Sequence, residues 1–311
     1  MNRRITLRPG GAIAALLAGA LLLAVPVTGL ASFPGSLNGR IAYGMRIDGN
    51  VDIYSALPSG VAVQRLTDGP AFDACAAFSA DGKQIAWCSQ QSGAFEIWTM
   101  KANGTNRHQV TSLGGRMLFP DFSPTGARIA FGGSLAGASQ ADVFTIASDG
   151  SGLVQLTDDG ADDLYPAYSP DGSKIAFISY RTGVGQVWLM DADGTDERQL
   201  TFDAVTKDQV PDWHPDGSRL VYAGGVGESP FDLYAIDADG TDVVQLTSTP
   251  ENDDFAPTWS PDGALIAFVS ARSDGRFVYV IDEDGASEHL LAPGAGPQFA
   301  PAWQPRGDCL P

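Results

Sequence analysis

The chain has 311 residues, a formal net charge of −18 and a mean hydropathy of −0.04. This acidic balance argues against nucleic acid or an anionic lipid surface as a partner, because both require a basic face on the protein. It is compatible with cations, with basic partners and with an ordinary, well-solvated surface.

The first 31 residues predict a secretory signal peptide. Arginines at positions 3, 4 and 8 precede an apolar run from about residue 12 to 25, and Gly29-Leu30-Ala31 supplies small residues before a cleavage site. The run is short for a stable membrane span, and an uncleaved N-terminal anchor is the alternative. Cleavage would place residues 32–311, with a formal charge of −21, in the periplasm, the cell envelope or the extracellular space.

The rest of the chain repeats one short phrase six times: an aromatic residue, a polar residue and a tight turn closed by glycine. The aromatic residues, called anchors below, are 44, 46, 45, 46 and 44 residues apart. The anchors are Phe78, Phe122, Tyr168, Trp213, Trp259 and Trp303. A fixed period in this range is typical of repeat architectures. Six units fill residues 32–311, so a single domain is predicted.

Each unit has the pattern of four short antiparallel strands. In the unit anchored at Tyr168, Pro170-Asp171-Gly172 predicts a tight turn, because Pro fixes one φ and Gly accepts a positive φ. Residues 174–178 and 187–190 are dense in apolar and β-branched residues, and Gln199-Leu200-Thr201 reads as a short outer strand. Four strands in about 45 residues indicate a propeller blade.

The two ends of the repeat complete one another. Residues 40–43 match a second strand with no first strand before it, and residues 301–307 are a first strand with nothing after it. We expect the last strand to pair into the first blade, which removes free sheet edges. The predicted fold is therefore all-β: a six-bladed β-propeller with four antiparallel strands per blade, closed by the C-terminal strand.

Two cysteines flank the first turn symmetrically. If Phe78 lies opposite Ile85, the same register places Cys75 opposite Cys88, where some registers allow a bridge. Because an exported chain meets an oxidising environment, a Cys75–Cys88 disulfide is predicted. Two buried free thiols are the alternative, since Cys packs well as a small apolar residue.

The repeat resembles the propeller of the TolB family, a WD-like group whose hallmark is aromatic-Ser-Pro-Asp-Gly-Lys-x-Ile-Ala-Phe, then Asp-Ile-Trp/Tyr, then Gln-Leu-Thr. Residues 168–177 and 259–268 fit the first element closely, and residues 52–54 and 96–98 fit the second. The resemblance implies a six-bladed propeller exported from a bacterium. Related propellers serve as periplasmic protein-binding modules, as gates of serine peptidases and as parts of polysaccharide lyases. TolB proper has an additional N-terminal α/β domain, which this sequence lacks.

The sequence contains no recognised catalytic motif. A Gly-x-Ser-x-Gly elbow and a His-Glu-x-x-His zinc motif are both absent. His108, His214 and His289 fall in different units and at different points of the repeat. We therefore expect no enzymatic activity and no cofactor, except that Ca²⁺ could bind the acidic positions described next.

One position of the repeat carries carboxylates in four of the six units. Five residues before the anchor stand Asp73, Asp163, Asp208 and Asp254, and Asp162 and Asp253 are their neighbours. Loops at this point of a propeller surround one mouth of the central channel. An acidic ring there could bind Ca²⁺ through oxygen ligands, or a basic peptide or amine. Alternatively, each Asp caps its own turn.

The predicted function is that of an exported, non-enzymatic propeller, expected to be a monomer, that binds a protein, peptide or glycan at a channel mouth. A structural component of the envelope would have the same sequence features. A hydrolase or lyase that uses carboxylates at that mouth, with or without a divalent metal, is the alternative.

Overall fold

The computed structural model describes residues 38–202, 206–227, 229–291 and 296–305, without the side chains of residues 206–208. The predicted signal peptide lies outside these residues. The described residues belong to one compact unit, 35–311. Among them, no helix is long and apolar enough to cross a membrane.

The described residues form 24 strands in six four-stranded antiparallel sheets, which we number as blades 1 to 6. Blade 1 contains β1 (Asn38–Ile47), β2 (Asn50–Ala56), β3 (Gln64–Arg65) and the last strand, β24 (Gln298–Pro305). Blade 2 contains β4 (Asp73–Phe78), β5 (Gln84–Ser89), β6 (Glu96–Lys101) and β7 (His108–Gln109). Blade 3 contains β8 (Arg116–Phe122), β9 (Arg128–Ser134), β10 (Asp142–Ala147) and β11 (Val154–Gln155).

The other three blades repeat this order. Blade 4 contains β12 (Asp163–Tyr168), β13 (Lys174–Ser179), β14 (Gln186–Asp191) and β15 (Arg198–Gln199). Blade 5 contains β16 (Thr206–Trp213), β17 (Arg219–Val226), β18 (Asp232–Asp237) and β19 (Val244–Gln245). Blade 6 contains β20 (Asp253–Trp259), β21 (Leu265–Arg272), β22 (Gly275–Asp282) and β23 (His289–Leu290). The six-bladed, all-β prediction is confirmed.

The second strand of each blade is buried on both faces. In β13, Ile175, Ala176, Phe177 and Ile178 are all fully buried. A sheet in the ring has a neighbour on each side, so both faces of its middle strands need apolar side chains. This explains why these strands are continuous apolar runs without alternation.

The last strand closes the ring as the sequence predicts. Strand β24 pairs with β1, with Trp303 opposite Ile41 and Ala302 opposite Ala42. The end of β24 also meets blade 2, where Gln304 Nε2 donates to the carbonyl oxygen of Gly82 at 2.8 Å. Blade 1 is therefore assembled from both ends of the propeller, and the residue after Gln304 packs on the first turn of blade 2.

Each innermost strand carries a β-bulge three residues before its anchor. The bulged residue has a left-handed φ between 39° and 57° in every blade, although none of the six is glycine. These residues are Cys75, Phe119, Tyr165, Val210, Ala256 and Ala300. A bulge shifts the pairing register by one residue on one side of it. The direction of every side chain before the bulge therefore cannot be read from the turn alone.

The bulge corrects the predicted position of the two cysteines. Phe78 lies opposite Ile85 as expected, but beyond the bulge Ala74, not Cys75, lies opposite Cys88. Both cysteines are free in the structure. Cys88 is buried with its Sγ 3.2 Å from the carbonyl oxygen of Ala74, and burial raises the pKa of its thiol well above the ordinary value. The prediction that Cys75 and Cys88 are directly opposite each other is therefore wrong by one residue.

Candidate functional site

The predicted acidic ring is not formed by the residues whose side chains are described. Asp73, Asp163 and Asp254 are buried between blades, and none of them lines the central cavity. Asp254 accepts hydrogen bonds from Ser270 Oγ at 2.6 Å and Thr249 Oγ1 at 3.0 Å. The side chain of Asp208 lies outside the described residues.

The carboxylates of Asp73, Asp163 and Asp254 lie where neighbouring blades meet. Each lies beside a buried Ser that follows the apolar run of the second strand of its own blade, and beside a Thr that follows the outer strand of the preceding blade. The three sets are Asp73 with Ser89 and Thr67, Asp163 with Ser179 and Thr157, and Asp254 with Ser270 and Thr247. Burial raises the pKa of all three carboxyls, to about 6 for Asp163, and the hydroxyl donors oppose the shift. Their geometry supports a structural role.

The blades that lack this aspartate use other groups. In blade 3 the position is Met117, and Glu96 of blade 2 accepts the hydroxyl of Thr111 at 2.5 Å instead. In β24 the position is Gln298, whose Oε1 accepts the main-chain N–H of Val278 at 2.8 Å. Gln298 therefore links blade 1 to blade 6, whereas Met117 is apolar and Glu96 holds the segment that follows the outer strand of its own blade.

The two neighbouring acids cap strands of the preceding blade. Asp162 Oδ1 accepts the N–H of Ala141 at 2.8 Å, and Asp253 Oδ1 accepts the N–H of Phe231 at 3.0 Å. Both donors stand immediately before a third strand. The alternative of main-chain capping thus fits Asp162 and Asp253, although each caps the neighbouring blade and not its own turn.

The structure instead places a cavity of about 260 Å³ inside the channel. Its walls are the innermost strands from the bulged residues to the anchors, and its lining extends to the turn residues Pro215, Pro261 and Pro305. It therefore occupies the half of the channel at the C-terminal ends of these strands. The mouth that the sequence predicts is at the opposite end.

Proline forms a collar around this cavity. The residue two before the anchor is proline in five of the six blades and Ala76 in blade 2. The prolines are Pro120, Pro166, Pro211, Pro257 and Pro301. This position follows the bulge on the innermost edge, where proline's missing N–H breaks no ladder bond. The collar gives the wall a rigid apolar surface.

Two carboxylates interrupt this apolar wall. Asp121 and Asp212 stand one residue before the anchors of blades 3 and 5 and line the cavity. The Oδ2 of Asp121 accepts the N–H of Tyr168 at 2.7 Å, and the Oδ2 of Asp212 accepts the N–H of Trp259 at 2.7 Å. Each carboxylate thus reaches from its own blade to the anchor of the next.

Burial raises the pKa of both carboxyls, to about 7 for Asp121 and about 6 for Asp212. The charge of Asp212 contributes to the shift at Asp121, so the two groups repel each other when both are ionised. Raised carboxyl pKa values in a cleft are frequent at functional sites. Sequence reasoning missed these residues, and their only signal is a Pro-Asp-aromatic triplet that occurs twice.

The fold does not require a carboxylate at this position. The other four blades carry Ala77, Ala167, Thr258 and Ala302 there, and they close in the same way. Asp121 and Asp212 therefore distinguish this cavity from the repeated scaffold around it.

Aromatic side chains form the deep end of the cavity. The rings of Phe119 and Tyr165, on adjacent blades, have centroids 4.2 Å apart. Burial raises the pKa of Tyr165 to about 12, so its hydroxyl is neutral at physiological pH. Cys75 lies on the same ring of bulged residues. The floor is thus uncharged and largely apolar.

One anchor on the cavity wall has an unpaired donor. The indole N–H groups of Trp213 and Trp303 donate to main-chain carbonyl oxygens of the preceding blade, at Ala167 (3.1 Å) and Thr258 (3.2 Å). The equivalent Nε1 of Trp259 is buried and has no hydrogen-bond partner in the structure. By equivalence of the repeats, it faces the blade 5 strand that carries Asp212.

The cavity offers binding groups and little catalytic equipment. Within the described parts of the chain, no group of three or more His, Cys, Asp or Glu side chains is arranged to hold a metal ion. None of the three histidines, all in described segments, lines the cavity. Two carboxylates in an apolar, partly aromatic wall are suited to recognising an organic cation.

The fold and the cavity define a six-bladed propeller with a lined cavity in its channel. The chain belongs to the TolB propeller family, because the model of the TolB beta propeller domain matches residues 105–307.

Two relatives match shorter segments. A protein TolB homolog from Chlorobium chlorochromatii is 34% identical over 96 residues, which are 30% of this chain and 20% of that protein. An uncharacterized protein of Agrobacterium fabrum is 33% identical over 81 residues, which are 26% of this chain and 27% of that protein. The matched segments thus span about a fifth to a quarter of these relatives.

Solved structures share the fold at low sequence identity. TolB from Acinetobacter baumannii superposes with a TM-score of 0.74 at 23% identity, over 86% of this chain and 67% of that one. A putative TolB from Agrobacterium tumefaciens gives 0.68 at 20%, over 87% and 100%. An oligogalacturonate lyase from Vibrio parahaemolyticus gives 0.59 at 15%, over 82% and 75%. At these identities the likeness shows the fold alone.

Proposed function

We propose that this protein is an exported propeller that binds a protein or peptide partner at the channel mouth bounded by Pro215, Pro261 and Pro305. The observation that carries the proposal is the cavity beneath that mouth, whose apolar wall holds two carboxylates with raised pKa values. A pocket with a few polar groups in an apolar lining is the usual form of a binding site.

The size of the cavity favours a protein or peptide over a glycan. Its volume, about 260 Å³, lies below the ~300–1,000 Å³ of typical small-molecule pockets. It admits a single side chain but is small for several sugar rings. The collar is proline, which offers no N–H and no side-chain donor for sugar hydroxyls.

Export is supported by the signal-peptide pattern of residues 1–31. The resemblance to propellers that serve as periplasmic protein-binding modules supports the same assignment, as an argument from fold. The acidic net charge of −18 favours basic partners. No specific observation favours the hydrolase or lyase alternative, since Asp121 and Asp212 line the cavity without His or Lys.

The proposal is tested by affinity capture from a cell-envelope extract of the source organism, using immobilised residues 32–311. The mouth variant is Pro215→Lys/Pro261→Lys, which adds positive charge at two turns that line the cavity. Ala80 replaces proline in the equivalent turn of blade 2, so this position tolerates other residues. The matched control is Pro124→Lys/Pro170→Lys, in the same turns of blades 3 and 4, which do not line the cavity.

We expect an envelope protein to be retained by the wild type and the control, and at least tenfold less by the mouth variant. The reason is repulsion of a basic partner and obstruction of the mouth. Equal retention by all three proteins would contradict the proposed site. Absence of any specifically retained protein would contradict the proposed function.

A further inference from the structure

We propose that the channel cavity takes one organic cation, the side chain of a lysine or arginine presented by the partner, held between Asp121 and Asp212. This inference rests on the proposed function and adds the chemistry of the group that enters the channel.

Charge is the first argument. Two carboxylates share one small cavity with an apolar wall, and neither is paired with a basic side chain within the described residues. Each accepts one main-chain N–H through Oδ2. Buried carboxylates without a counter-ion are destabilising, and a cation between them removes that penalty.

Shape is the second argument. The mouth is bounded by the turn prolines Pro215, Pro261 and Pro305, and Trp213 and Trp303 also line the wall. Lysine and arginine carry an aliphatic stem that packs well on such a surface, with the charge at its tip. The carboxylates lie one residue deeper than the anchors, and the aromatic pair Phe119–Tyr165 lies deeper still. A stem of three or four methylenes therefore matches an apolar entrance with acids further in.

The unpaired indole of Trp259 is the third, independent observation. Trp259 is 4% exposed, its main-chain N–H already donates to Asp212, and its Nε1 has no partner. A buried donor left without an acceptor costs about 1–3 kcal/mol. Trp259 also lines the cavity, so this unpaired donor belongs to the wall beside Asp212, to which the main-chain N–H of Trp259 is already bonded.

The repeat itself supplies the internal comparison. At the level of Asp121 and Asp212 the other blades have alanine or threonine, and the scaffold closes without a carboxylate. The fold does not need these two acids, and their charges repel each other. A ligand that carries the opposite charge explains their presence.

The test is isothermal titration calorimetry at pH 8 with three blocked pentapeptides: Gly-Gly-Lys-Gly-Gly, its arginine counterpart and its acetyl-lysine counterpart. The proteins are wild-type residues 32–311, Asp121→Asn/Asp212→Asn, and the control Asp193→Asn/Asp239→Asn. The control changes the net charge equally, and its two residues are exposed in turns that do not line the cavity.

We expect the wild type and the control to bind the lysine or the arginine peptide and to bind the acetyl-lysine peptide at least tenfold more weakly. The Asp121→Asn/Asp212→Asn variant should lose at least tenfold in affinity for the cationic peptides. Asn keeps an acceptor for the Tyr168 and Trp259 N–H groups, so this variant retains the hydrogen bonds of the fold.

Three results would overturn the inference: no binding of either cationic peptide by the wild type, equal binding of the acetylated peptide, or unchanged affinity in the Asp121→Asn/Asp212→Asn variant. If envelope capture still depends on Pro215 and Pro261 while the cationic peptides fail, the proposed function stands and the inference is wrong. If capture and titration both fail, the proposed function is wrong as well.

Discussion

At the scale of single residues, Asp121 and Asp212 combine two effects. Each links adjacent blades by accepting a main-chain N–H, and each resists ionisation because its carboxyl is buried; the charge of Asp212 adds to the effect at Asp121. The balance between these effects is set by pH. The hydrogen bond can be made by a neutral group, whereas the burial penalty applies only to the charged form.

The Asp121→Asn/Asp212→Asn variant should be more stable than the wild type at high pH. The folded-state pKa values, about 7 and about 6, lie above the ordinary value of 3.8. The folded protein therefore holds these protons after the unfolded chain has lost them, and the wild type loses stability as pH rises from about 4 to 7. We expect the variant to gain roughly 2 kcal/mol at pH 8 and little at pH 4.

Thermal unfolding at both pH values measures this difference. The gain at pH 8 corresponds to a melting temperature higher by about 5 °C for a chain of this size. Asp193→Asn/Asp239→Asn is again the control and should show no such gain. A variant that is less stable than the wild type at pH 8 would show that the charged form of these residues supports the fold.

At the scale of elements, adjacent blades differ in a regular way. Among the described strands, the apolar run of the second strand is preceded by Arg in blades 1, 3 and 5 and followed by a buried Ser in blades 2, 4 and 6. The arginines are Arg40, Arg128 and Arg219, and the serines are Ser89, Ser179 and Ser270. Each serine lies beside the buried aspartate of its blade, and Ser270 donates to Asp254 at 2.6 Å. The propeller is thus three pairs of blades, and the aspartates join the members of a pair.

Asp254→Ala should destabilise the protein strongly. Asp254 is fully buried and accepts hydrogen bonds from Ser270 and Thr249, so its loss leaves the buried Ser270 hydroxyl without its acceptor and removes one acceptor of the Thr249 hydroxyl. We expect a loss of about 2–4 kcal/mol in the free energy of unfolding, measured by urea denaturation.

The neighbouring residue provides the comparison. Asp253 is partly exposed and its side chain accepts one hydrogen bond, from the N–H of Phe231 at 3.0 Å. Asp253→Ala should cost about 1 kcal/mol or less. If the two substitutions cost the same, the joint between blades 5 and 6 does not depend on the buried carboxylate.

At the scale of the whole molecule, stability depends on the joint where the two ends of the propeller meet. Strand β24 completes blade 1, and its end lies against the first turn of blade 2. Gly82 in that turn has a φ of +66°, and a Cβ added there would lie 1.9 Å from the carbonyl oxygen of Pro305. Closure of the ring therefore requires the absence of a side chain at this point.

Gly82→Ala should be more destabilising than Gly126→Ala. Gly126 occupies the same turn in blade 3 with a φ of +69°, but no atom lies within 4 Å of its added Cβ. Both substitutions put alanine in a left-handed conformation, which costs about 1–2 kcal/mol. Only Gly82→Ala also displaces the closing strand, and we expect it to lower the unfolding free energy by at least 2 kcal/mol more than Gly126→Ala.

Urea denaturation of the two variants measures the difference, and proteolysis near the C-terminus reports whether β24 is released. Equal stabilities would mean that the end of β24 moves aside without cost, and that closure depends on the pairing of Trp303 with Ile41 instead.

The sequence by itself determined the architecture. The spacing of the anchors, the turn chemistry and the unmatched strands at residues 40–43 and 301–307 are local or periodic signals, and they predicted six closed blades correctly. What failed was every inference that needed side-chain direction beyond the bulge. The bulge sits three residues before each anchor and shifts the register, so Cys75 does not lie opposite Cys88. Of the repeated aspartates, Asp73, Asp163 and Asp254 are buried between blades, which the repeat pattern alone did not indicate.

Only the tertiary structure located the cavity and its two acids. Asp121 and Asp212 are 91 residues apart and occupy a position that four blades fill with alanine or threonine, so no periodic pattern marks them. They share one cavity because the ring brings all six innermost strands to a common axis. Their pKa values follow from that shared, desolvated space, which no segment of the sequence contains by itself.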